Sequence, residues 1–198
     1  MCICDRAVRG ERTERCPHLL VIGQQIGVAM QHRKLRRATT RKDAHHGPGL
    51  LTVLARSPAA LAGYLGLHHG LAQGRLTEVE RCLIGLMVAQ RSGSVYWLSV
   101  QSRQAEKAGL TKDQISGARE GCGNSDRRTA LLFLAGRLVI NRGELAEADL
   151  AAVRQAGLSD AEITEVILHV GLNLTAAAIG HASALELDFP PAPPLPAF

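Results

Sequence analysis

Five cysteines, Cys2, Cys4, Cys16, Cys82 and Cys122, carry the widest chemical range in this 198-residue chain, because a thiol can hold a metal, attack an electrophile or be oxidised. Their spacing narrows that range. Cys2-x-Cys4, Cys16 and His18 have ligand chemistry but fit no zinc frame, and no metal or other cofactor is expected. An odd number of widely separated cysteines with no secretory signal points to reduced thiols in the cytoplasm. Cys82 recurs with Val79, Leu83, Leu86 and Met87 at helical spacing, so it faces a core, where a thiol is ordinarily inert. Cys122, between Gly121 and Gly123, is expected to be exposed and open only to adventitious oxidation.

The histidines are the other chemical candidates. His181 is expected on the apolar face of the last helix with Ile163, Val166, Ile167, Val170, Leu174 and Ala177. There it reads as a core or interface histidine, or, more sharply, as a proton-transfer group with no carboxylate paired to it by spacing. His68 and His69 fall near the end of an earlier helix, and adjacent side chains diverge around a helix, which argues against a shared metal. The sequence holds no glycine-rich phosphate loop and no nucleophile elbow.

Helix signals position these groups. Thr77-x-x-Glu80, Thr111-x-x-Gln114 and Ser159-x-x-Glu162 are capping boxes, in which a hydroxyl and an acid or amide satisfy free N–H groups at a helix start. Glu80 is read as a capping-box member only. Ser57-Pro58 opens a further helix that stops near Gly74, and Leu50 to Leu54 form a short one. Arg91-Ser92-Gly93 separates the helix of Cys82 from one that begins near Ser94. Helices are also expected over 127–140, 147–155 and 160–185. Only six residues are aromatic, and alanine, leucine and glycine abound, a mix that favours close-packed helices over a sandwich of strands. The expectation is an all-α bundle of about eight helices with short connections.

Charge is unevenly placed: residues 1–47 hold ten Lys/Arg against four Asp/Glu, and the remainder thirteen against fourteen. The basic leader, including Arg33, Lys34, Arg36, Arg37, Arg41 and Lys42, has no aromatic residue to stack bases, so it reads as a solvated, disordered arm and not as a nucleic-acid site. Met30 is an alternative start if the gene model is overlong. Leu19 to Met30 is too short to span a bilayer, and no membrane partner is expected. Residues 48–189 form the domain. Residues 190–198, a proline-rich tail, are expected to be extended, as a plain terminal extension.

Several stretches, in order, resemble the carboxymuconolactone decarboxylase and alkylhydroperoxidase D-like superfamily, in its peroxidase-related branch. They are Leu76 to Arg81, Tyr96, Lys107 to Leu110, Ala156 to Ile163, and Asn173 to His181 continuing through Glu186 to Pro190. The resemblance implies an all-α bundle assembled as a trimer or hexamer, acting on a small hydrophobic or peroxide substrate. Its redox members carry C-x-x-C-x-x-x-H at a helix start; this chain has Ser94, Trp97 and Gln101 at those places, and Cys82 where a relay glutamate is expected.

Those replacements remove the chemistry. A serine forms no sulfenic acid, and Ser94 reads as an N-cap. Trp97 would plug the pocket, and glutamine shuttles no proton at neutral pH. The implied thiol peroxidase activity is therefore expected to be lost or attenuated. Three readings remain: residual one-thiol chemistry at Cys82, on a face packing toward Ser94 and Trp97; a cofactor-free decarboxylase or lactone enzyme using a histidine such as His181; and a non-catalytic oligomeric scaffold.

Overall fold

Eight helices make up the described part of the chain, residues 48–187 and 189–195 of a computed structural model. They are α1 (Pro48–Leu54), α2 (Pro58–Ala72), α3 (Glu78–Arg91), α4 (Val95–Lys107), α5 (Lys112–Glu120), α6 (Asp126–Ile140), α7 (Glu147–Gln155) and α8 (Asp160–Ala182). No strand occurs among the described residues. The expectations for the leader, with Cys2, Cys4, Cys16 and His18, concern residues outside those described.

All three capping boxes form, at Thr77, Thr111 and Ser159, and Ser57 caps α2 by accepting from the Ala60 N–H. The middle of α3 is buried without interruption from Cys82 to Ala89, because α4, α5, α6 and α8 all pack around it. A helix apolar on every side belongs at the centre of a bundle. α8 is long and apolar enough to cross a membrane by length and composition, but half of its most apolar stretch is buried inside the bundle, as in a core helix.

Arg127, in the first turn of α6, joins the starts of two core helices. Its Nε donates to Glu80 Oε1 at 2.7 Å, Nη2 donates to Glu162 Oε1, and Nη1 donates to the Gly157 carbonyl at 3.0 Å. The other oxygen of each glutamate closes its capping box, on Thr77 N–H at 2.8 Å and on Ser159 N–H at 2.8 Å. Glu80 is thus more than a cap: it is a buried carboxylate with an ion-pair partner. Burial pushes the Glu80 carboxyl upward, but hydrogen bonds from Thr77 and Arg127 outweigh this and lower it. Glu162, bonded by Arg127 and then by Ser159, is held down to about 2.

α8 ends at Ala182, three residues short of the expected 185. Ala184 turns into the left-handed region at φ 44°, which brings Leu185 over Gly49, where an added Cβ would meet its side chain at 3.3 Å. Residues 190–195, the described part of the tail, form no helix or strand, and they are held down. The Phe189 ring lies under the Arg103 guanidinium at 4.8 Å, the Ala192 N–H donates to Ser99 Oγ at 2.8 Å, and Arg119 Nη1 donates to the Pro193 carbonyl at 2.9 Å.

Arg127→Met should strand the two carboxylates and lower the unfolding free energy at pH 7 by about 2–3 kcal/mol, below the range for a fully buried pair because the arginine is partly exposed. Glu162 contributes stability above its unfolded value, and that contribution disappears as pH falls toward 2. Urea titrations should therefore show the gap between variant and wild type closing below pH 4.5.

Candidate functional site

Four helices line a half-open cavity of about 320 Å³, and each supplies residues at one-turn spacing. From α2 come Tyr64, His68 and Ala72; from the first turns of α3, Glu78, Arg81 and Cys82; from α4, Trp97, Gln101 and Gln104; from α8, His169, Leu172 and Asn173. Gly93, at φ +67°, makes the tight reversal that folds α4 back along α3. Gly85 leaves room for Gln101, whose amide lies where a Cβ would stand, with Asn173 Oδ1 3.1 Å from the same point.

Cys82 is buried in this wall. Its thiol is pushed up to about 11, by burial first and then by Glu78, with Arg81 opposing. At pH 7 only about one thiol in ten thousand would be ionised, and the thiolate is the nucleophile. Cys122, exposed as expected, lines a separate hollow beside Leu110 and Gly117. Neither described thiol has a second thiol to resolve it.

Trp97 is almost fully buried, and its indole N–H donates to Asn173 Oδ1 at 2.9 Å. Asn173 is held in turn by donating from Nδ2 to the His169 carbonyl at 2.8 Å. The indole is a fixed wall and not the expected plug: the cavity stays open beside it.

Ser94 is absent from the cavity lining. It is buried at the far end of the α3–α4 hairpin, where its Oγ accepts from the Trp97 N–H at 3.3 Å. The face of Cys82 therefore meets Trp97 and Gln101 but not Ser94. Tyr96 is structural as well, its hydroxyl accepting from the Leu50 N–H at 3.2 Å.

His181 is not on the buried face. It is exposed, with Nε2 3.2 Å from the Ser92 carbonyl, and the buried position of that turn is Gly180, against Tyr96 and Ser94. The buried stripe of α8 runs instead through Val166, His169, Asn173, Ala176 and Gly180. Steps of three and four residues along the last helix carry that signal in the sequence, but polar members disguise it from a search for apolar residues.

His169 is thus the histidine of the site. It is only 4% exposed, and its Nε2 has no hydrogen-bond partner. Burial, then Arg81 and His68, push it down to about 4 against the pull of Glu165, so the ring is neutral at pH 7. His68 faces the cavity while His69 is exposed, as expected for adjacent helical residues.

Residues 58–122, from α2 to the end of α5, match the model of the carboxymuconolactone decarboxylase family. The fold itself recurs in solved structures. A protein from Agrobacterium tumefaciens described as a putative antioxidant defence protein AhpD is 18% identical, with a TM-score of 0.63 over 70% of this chain and 97% of its own. Over residues 58–122 the chain is similar to the carboxymuconolactone decarboxylase family, and its fold is that of the alkylhydroperoxidase D-like structures. An uncharacterised peroxidase-related protein from Silicibacter sp. TM1040 is 19% identical, with a TM-score of 0.62 over 72% of this chain and 75% of its own. A debrominase solved with 2,3,4-tribromopyrrole is 14% identical, with a TM-score of 0.63 over 72% of this chain and 77% of its own. No curated protein matches the chain in sequence.

A neutral buried histidine makes stability depend on pH. The unfolded chain takes up the proton near 6.5 and the folded chain only near 4, so stability falls as pH drops through that window. His169→Leu should remove this component, and chemical denaturation at pH 7, 5.5 and 4.5 should show a shallower decline for the variant.

Proposed function

We propose that this chain is a superfamily member of the alkylhydroperoxidase type in which thiol peroxidase activity is lost or attenuated. The observation that carries this reading is the state of Cys82: a buried thiol pushed up to about 11, facing Trp97 and Gln101 with no second thiol in its cavity. The two-thiol cycle needs an ionised attacker, a resolving sulfur and a proton relay. At these positions the cavity holds a neutral thiol, an indole and an amide. Two unpaired described thiols, Cys82 and Cys122, are in keeping with a reducing compartment such as the cytoplasm.

A second reading, a cofactor-free enzyme that handles protons with a histidine, is favoured by His169 in place of His181. A buried imidazole that stays neutral at pH 7, in the same cavity wall as Glu78 and Arg81, is a group able to accept a proton. Exposed apolar residues on neighbouring helices, Phe133 and Ile140 of α6 with Ile167 and Leu168 of α8, support assembly into a trimer or hexamer.

Reduction of cumene hydroperoxide by the full chain with dithiothreitol should run no faster than the thiol background, and Cys82→Ser should leave that rate unchanged. Turnover above background that Cys82→Ser abolishes would overturn the first reading.

A further inference from the structure

Five of the seven residues from Pro190 to Pro196 are prolines, and such a run has few ways to bond. Each proline fixes its own φ and forces the residue before it toward extended backbone, so the segment is stiff before it binds anything. From Pro190 to Pro194, Ala192 alone has a backbone N–H. That one donor is used, reaching Ser99 Oγ at 2.8 Å. The next carbonyl along, of Pro193, accepts from Arg119 Nη1 at 2.9 Å.

The groups that grip the segment are built into the bundle. Ser99 is 2% exposed and Arg119 6%. The Ser99 hydroxyl donates to the Val95 carbonyl at 2.7 Å, which commits its hydrogen and leaves the oxygen to accept from Ala192. Arg119 Nε donates to Gln90 Oε1 at 2.8 Å, and Arg119 forms no ion pair among the described residues. Burying a guanidinium among neutral acceptors alone is costly, so a carbonyl brought to it by the tail is stabilising. Three residues before Ala192, the Phe189 ring lies under Arg103.

These contacts are those of a ligand on a receptor. They engage one N–H, one carbonyl and one ring, while Pro190, Pro191, Pro193 and Pro194 stay exposed and add little to the core. Side chains that read the main chain of a stiff proline-rich segment bind it at a low cost in ordering. Gln90, Ser99, Arg103 and Arg119 come from α3, α4 and α5, and none of them lines the four-helix cavity.

We propose that α3, α4 and α5 form a docking site for a proline-rich segment, and that the chain's own tail is its resident, releasable ligand. The tail then acts as a strap across the three helices, lifting as a unit while the bundle stays folded.

A fluorescein-labelled peptide of residues 187–196 is titrated against the full chain and followed by anisotropy. In the wild type the tethered tail competes with the peptide. The full chain carrying Phe189→Ala and Ala192→Pro lacks the ring and the one N–H but keeps the site, and it should bind the peptide about ten-fold tighter than the wild type. The same peptide carrying Ala192→Pro should bind this double variant about five-fold more weakly. Adding Ser99→Ala to the double variant, with helix content checked by circular dichroism, should abolish the difference between the two peptides. Hydrogen exchange needs no variant: the Ala192 amide of the wild type should exchange about ten-fold more slowly than in the free peptide.

Equal affinity of the wild type and the double variant for the peptide, no saturable binding to the double variant, or equal binding of the two peptides to it would each overturn the proposal. So would a peptide preference that survives Ser99→Ala in a folded chain, or an Ala192 amide that exchanges as fast as in the free peptide. None of these measurements depends on peroxide turnover, so their outcome and that of the peroxidase assay are separate.

Discussion

One guanidinium sets the frame of this molecule. Arg127 bonds both capping-box glutamates, Glu80 and Glu162, and the Gly157 carbonyl, so the first turns of α3 and α8 are fastened to the start of α6. A capping box alone fixes where a helix begins along the chain. Sharing an arginine between two boxes also fixes where the helices begin relative to each other. Cys82 and Glu78 on α3 and His169 on α8 are all within about three turns of those starts, so the cavity inherits its registry from the clamp. Glu165 adds a second tie, accepting from the Arg75 N–H at 2.8 Å and the Leu76 N–H at 3.2 Å and so holding the α2–α3 connection against α8. A side chain at Gly74 would occupy the space of that carboxylate.

Burial then governs the chemistry of the groups so positioned. In a poorly solvated site a charge is costly, and two titratable groups of the cavity wall respond by staying neutral: Cys82 moves up and His169 moves down. The same environment that keeps the thiol protonated keeps the imidazole neutral at pH 7. Trp97 and Asn173 reinforce this, since their mutual bond holds the indole as a permanent wall at the place where the resemblance implies a resolving cysteine. Fold and activity are separate conclusions here, because one fold can carry different chemistries.

How much of this could be read from the residues depends on the range of the interaction. Capping boxes and glycine breaks involve neighbours within a few positions, so local spacing settles them. Glu147 to Gln155 appears as a helix with the expected bounds for this reason. The tail illustrates the opposite case: its proline content dictates an extended backbone, but Ser99, Arg103 and Arg119, on helices far away in the chain, decide that it lies against the bundle.

Sequence by itself determined the class of fold, the starts of the capped helices, and that Ser94 and Trp97, not a cysteine pair, stand at the start of α4. Tertiary structure alone decided that Arg127 joins Glu80 to Glu162, that His169 enters the cavity while His181 reaches solvent, and that Ser94 ends as a cap remote from Cys82. The physical reason is helical phase. At 3.6 residues per turn the buried line drifts around a long helix, so which of two histidines twelve residues apart points inward is set by the neighbours packed against α8, and those neighbours are chosen by contacts across the whole bundle.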